Sequence, residues 1–78
     1  MEKRFENRNY KLTLTKYEWM LIRAFAYGMH RGDISLFFGI APHTFNSYLK
    51  RIRKKLRRHG YDVRNAIDAM ILVEKGIL

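Results

Sequence analysis

The stretch HTFNSYLKRIRKKLRR, residues 43–58, constrains the fold more than any other part of the chain. Written as a helix, it brings Phe45, Tyr48, Leu49, Ile52 and Leu56 into one stripe, at offsets 0, 3, 4, 7 and 11. That spacing follows the 3.6-residue turn and marks a face that must be covered. An advance of about 100° per residue then turns Asn46, Ser47, Lys50 and Lys54 to the opposite side. Arg53 and Arg57 fall at one edge, Arg51 and Arg58 at the other. Seven of the nine residues in 50–58 are basic, and no acid occurs from Ile34 to Tyr61. Short polar groups come first and long cations follow. A helix docked by its first turns in a DNA major groove needs that order, because bases lie close there and phosphates flank them. The plainer alternative is a solvated cationic face. The acid-free span and the charge of the whole chain weigh against it.

At 78 residues the chain makes one small domain. A domain of this size buries only about 60–65% of its unfolded surface, so its stability is marginal. It has no cysteine, which fits a reducing compartment and leaves no disulfide to help. His30, His43 and His59 lack metal-ligand spacing, and no cofactor is expected. Sixteen Lys and Arg against seven Asp and Glu give a net charge of +9 and a pI near 10.3. In so small a domain that charge favours a polyanionic partner. A hydrophobic content of 47% points to a packed domain rather than a disordered basic tail. No apolar run approaches the ~18–20 residues of a membrane span, and MEKRFENRNY lacks an apolar signal core. The expectation is a soluble cytoplasmic protein that makes no use of the membrane.

Residues 1–11 read as a charged, flexible arm, with contact to backbone phosphates as the alternative. The domain proper is expected over 12–78. A first helix starts with Thr15 as N-cap and Glu18 three residues on, the capping-box spacing, with Leu14 and Trp19 placed as a hydrophobic staple. It buries Leu21, Ile22 and Phe25 and stops at Gly28. A short second helix, about Arg31 to Phe38, carries Asp33 in its first turn and should turn Ile34, Phe37 and Phe38 inward before Gly39 ends it. Pro42 suits the first position of the basic third helix. Asp62 can cap a fourth helix, about Val63 to Lys75, whose stripe is Val63, Ala66, Ile67, Met70 and Ile71. Ala69, Leu72 and Val73 widen its apolar arc to roughly 200°. That surplus implies either a partner surface, most simply a second copy, or extra cover for the first helix.

Leu14-Thr15 with Glu18, Leu21-Ile22, Ala26, Gly28, Asp33-Ile34-Ser35, Phe38-Gly39-Ile40, Thr44-Phe45, Ile52, Lys55-Leu56 and Gly76-Ile77-Leu78 resemble the LuxR/GerE-type helix-turn-helix. The register holds without gaps from Leu14 to Leu56. The resemblance implies an all-α, four-helix DNA-binding domain of bacterial or mobile-element transcription regulators, with its third helix in the major groove and its fourth pairing protomers. Carried over by position, the base-reading sites fall on Asn46, Ser47 and Lys50. The backbone-facing sites fall on Thr44, Tyr48, Arg51, Lys54 and Lys55, and the edge cations Arg53, Arg57 and Arg58 extend that set toward phosphate. The chemistry agrees, since Asn can pair bidentately with adenine and Lys can donate to guanine. Ala41 departs from the family, which usually has a capping serine there, a loss of about 1 kcal/mol. The Arg57–Val63 connection also runs two or three residues longer than the family's.

The leading expectation is a sequence-specific regulator of double-stranded DNA, acting as a homodimer or as a heterodimer with a related regulator. With no receiver or ligand-binding segment ahead of the motif, its binding would be constitutive, gated by a partner or set by abundance. The alternative is an interaction module that meets another regulator or RNA polymerase through the fourth helix. RNA binding is a weaker third reading, since no stacking platform of exposed aromatics is evident. There is no carboxylate pair, nucleophile–base set or phosphate-cradling glycine loop, so no enzyme is expected.

Overall fold

The computed structural model describes residues 12–78, and the expected arm at 1–11 lies outside the described residues. Four α-helices follow in order: α1 (Lys16–Ala26), α2 (Arg31–Phe38), α3 (Pro42–Arg58) and α4 (Ala66–Glu74). Over the described residues these four helices pack as an all-α bundle of about 28 × 26 × 19 Å. α1 packs against each of the other three and is their common support, and α2 packs on α3.

α1 begins where the sequence placed it. Thr15 Oγ1 accepts the Glu18 amide at 3.0 Å, and Glu18 Oε1 accepts the Thr15 amide at 2.9 Å, which satisfies two amides a helix start leaves orphaned. Leu14 and Trp19, the staple pair, are both buried. The helix ends in a left-handed Gly28, φ +88°, and the Met29 amide reaches back to Ala24 O at 3.2 Å. That is a Schellman closure, which glycine enters without a Cβ clash. Leu21, Ile22 and Ile34 join Phe45, Leu49, Ile52 and Leu56 of α3 in a single core. A ring cluster sits at its edge: Tyr17 of α1 meets Phe38 of α2 at 5.7 Å and Tyr48 of α3 at 5.3 Å, both edge-on.

α2 departs from expectation at Phe37, which is 73% exposed rather than inward. The buried side of this eight-residue helix runs from Ile34 through Phe38 to Ser35. Its centre therefore falls about 50° to the Phe38 side of Ile34, and Phe37, about 60° to the other side, lies beyond its edge.

α4 corrects the sequence reading in both start and phase. It begins at Ala66, not Val63, and its cap is Asn65 rather than Asp62. Asn65 Oδ1 accepts the Asp68 amide at 2.9 Å, while Asp68 Oδ2 accepts the Arg64 amide at 2.9 Å. Two acceptors meet two orphan amides there, whereas Asp62 pairs with exposed Arg64 at 3.2 Å. Val63 is buried from outside the helix, so its burial does not set the helical phase. Ala69 and Leu72 set it instead, with Ala66, Met70 and Val73 half-buried beside them. Ile67 and Ile71, expected inside, are 71% and 43% exposed. The proposed pairing surface is corrected with them: Ala69 and Leu72 lie in the protomer's own core, and Val73 packs at its margin.

Candidate nucleic-acid interface

α3 is 17 residues long, opens on Pro42 and carries no acid in its first turn. Its buried stripe is Phe45, Leu49, Ile52 and Leu56, which fixes the opposite side outward. Asn46, Ser47, Lys50, Arg51, Lys54, Arg57 and Arg58 are all exposed, as is His43. At about 100° per residue these eight occupy a continuous arc of about 140°. The uncharged groups Asn46 and Ser47 stand in the first turns, and the cations run from Lys50 to the C-terminus. This arc lies across the helix from the core. No Asp or Glu occurs anywhere on α3 or in the turn before it.

Two cations expected to face phosphate are engaged within the protein. Lys55 Nζ lies 2.7 Å from Glu18 Oε1, with the Glu18 side chain only 2% exposed. Lys55 stands about 180° around the helix from Asn46, on the flank turned to α1. A buried carboxylate there needs a counter-charge, and Lys55 supplies it. Burial pushes the Glu18 carboxyl up. The Lys55 hydrogen bond, the Thr15 amide and the Lys55 charge outweigh that and hold it below its ordinary value of 4.5. Arg53 donates from Nη2 to the Arg64 carbonyl at 2.9 Å and so ties α3 to the loop before α4. Thr44 and Tyr48 are half-buried at the margin. Tyr48 carries the Arg51 guanidinium 5.5 Å from its ring centre, a cation–π contact that braces an exposed cation.

The polar groups of the first turns have fixed hydrogen-bond characters. Ser47 donates its hydroxyl to His43 O at 3.1 Å, one turn back, which leaves its oxygen lone pairs outward. Arg31, in the first turn of α2, donates from Nη1 to Asn46 Oδ1 at 2.6 Å. The sequence reading missed Arg31 as a member of this surface. The available signal was its place at the start of the helix that precedes the recognition candidate, where α2 and α3 pack together.

Among the described residues no group of His, Cys, Asp and Glu could hold a metal ion, and no helix is long and apolar enough to cross a membrane. A shallow groove of about 350 Å³ lies between the end of α1 and the outer side of α4, lined by Ala26, Tyr27, Ile67, Met70 and Ile71 among others. Compared with family models, curated proteins and solved structures, the chain finds no significant match.

Proposed function

We propose that this chain is a LuxR/GerE-type helix-turn-helix domain that binds double-stranded DNA sequence-specifically and regulates transcription in the cytoplasm, at the nucleoid. α3 enters the major groove by its first turns. Asn46, Ser47 and Lys50 read base edges, while Arg51, Lys54, Arg57 and Arg58 reach phosphates. The observation that carries this reading is the uninterrupted outward arc of α3, polar at its start, cationic beyond and free of acid. A merely solvated helix face has no need to exclude carboxylates over this length. Two of α3's cations, Arg53 and Lys55, are drawn into internal contacts, and five still face outward.

Selection of bound sequences from a random duplex pool tests the proposal. Enrichment of one consensus supports it. Retention of no duplex, or of all duplexes alike, overturns sequence-specific recognition.

The exposure of Ile67 and Ile71 on α4 favours a second reading, contact with another protein through that helix. A second copy of the chain, a related regulator or RNA polymerase are the partners such a surface would serve. This role is compatible with DNA binding through α3, because the two surfaces lie on different helices.

A further inference from the structure

The reading of Asn46 as an adenine-specific residue assumes that its amide is free to offer one donor and one acceptor side by side. Arg31 restricts that freedom. A guanidinium carries only donors, so the atom of Asn46 at 2.6 Å from Arg31 Nη1 has to be the carbonyl oxygen. The contact is charge-assisted and occupies one of the oxygen's two lone pairs. It also polarises the amide, which makes the outward NH2 a stronger donor and the shared oxygen a poorer acceptor. Adenine presents an N7 acceptor beside an N6 donor in the major groove, and guanine presents two acceptors, N7 and O6. An amide whose acceptor is shared with a cation matches guanine and conflicts with the adenine N6 donor.

We propose that Arg31 is a specificity-determining, positioning residue: by holding Asn46 Oδ1 it converts Asn46 from an adenine reader into a guanine reader. Lys50, one turn along the same face, is a donor-only group, so positions 46 and 50 present donors from successive turns of α3. Arg31 does this from α2, without belonging to the helix that enters the groove. The inference rests on the DNA-binding reading, and the experiment separates the failure of one from the failure of the other.

The experiment selects duplexes from a random pool with the full chain and with Asn46→Ala, Arg31→Ala and Arg31→Lys. Asn46→Ala identifies the base pair read by residue 46, as the position where preference disappears. With the unsubstituted chain that position is guanine. Arg31→Ala frees the amide and moves this one position toward adenine, lowering the guanine-to-adenine ratio at least about fivefold, the low end for a bidentate pair. Arg31→Lys, still a donor, keeps part of the guanine preference. Arg31 is exposed in the first turn of α2, so neither substitution removes a buried side chain. A general loss of positive charge weakens all duplexes alike and leaves the base ratio at one position unmoved. Adenine already selected at that position by the unsubstituted chain overturns the inference. So does a guanine preference that Arg31→Ala leaves intact. If the unsubstituted chain enriches no consensus at all, the DNA-binding reading falls, and this inference with it.

Discussion

Lys55 Nζ and Glu18 Oε1 lie 2.7 Å apart, and this pair joins the first turn of the central helix to the last turns of the cationic one. The same carboxylate oxygen accepts the Thr15 amide. One buried group therefore caps α1 and anchors α3, so the capping box and the placement of the candidate interface are coupled. Substituting Lys55 by Ala leaves the Glu18 carboxylate buried with only its backbone partner. We expect a loss of about 3 kcal/mol in chemical denaturation, the low end for breaking one side of a buried pair, since the Lys55 side chain is 22% exposed. Because Lys55 faces inward, the salt dependence of DNA retention should stay unchanged in any fraction that folds.

Acid titration should report the same pair. The Glu18 carboxyl sits below its ordinary value of 4.5 in the folded state, so between the two values the unfolded chain binds more protons. Its contribution to stability is full above the unfolded value and is lost as the pH falls through the folded one. Glu18→Gln should flatten this acid limb of the stability curve. A limb of undiminished slope in that variant contradicts the assignment.

Lys50 and Lys54 differ by one turn on the same face, and their substitutions should part. Lys50→Ala is expected to relax base preference and to cost about 1–3 kcal/mol on the selected duplex. Lys54→Ala should weaken all duplexes alike and reduce the salt slope by about one counterion. Binding isotherms over a range of salt on selected and scrambled duplexes read both effects.

α3 starts without a side-chain cap, since Ala41 holds the N-cap position at φ −72°, ψ 153°. That is the extended backbone a capping serine adopts. Ala41→Ser should stabilise the domain by about 1 kcal/mol, a rise in Tm of roughly 4–8 °C for a chain of this length. A thermal melt showing no rise refutes the missing-cap account.

Ile67 and Ala69 are two residues apart in α4 and lie on opposite sides of it. Ala69→Leu overfills a fully buried position and should cost about 1–3 kcal/mol. Ile67→Lys alters a residue that is 71% exposed and should change stability by no more than about 0.5 kcal/mol. If α4 meets a partner, Ile67→Lys abolishes that contact in sedimentation or in the cell while the fold persists.

What sequence alone could reveal follows physical range. The capping box of α1 spans three residues, and the stripe of α3 repeats within one helix, so both could be read before any fold was known. Phe37 and Ile67 could not be placed. Each lies on an apolar helix where several phases look equally good, and the neighbour that selects one comes from far along the chain. Asp62 and Asn65 are both good caps, and the choice between them fell to Asn65 because Asp68 supplies a reciprocal acceptor. The cations illustrate the same limit. Lys54 and Lys55 are adjacent and chemically identical, yet one faces solvent and the other neutralises a carboxylate from 37 residues away. The Arg31 contact to Asn46 spans 15 residues and two helices, beyond any local pattern.

The packing of α1 on α4 has a consequence for biosynthesis. α1 rests against α4, so an emerging chain cannot complete this part of its core until the residues of α4 have cleared the exit tunnel. Until then Leu21 and Ile22 lack part of their final surroundings, and the nascent segment holds a sticky face beside a strongly positive stretch, next to ribosomal RNA. Completion of the core is thereby deferred until α4 has emerged, which makes this a contact of long sequence separation that forms late.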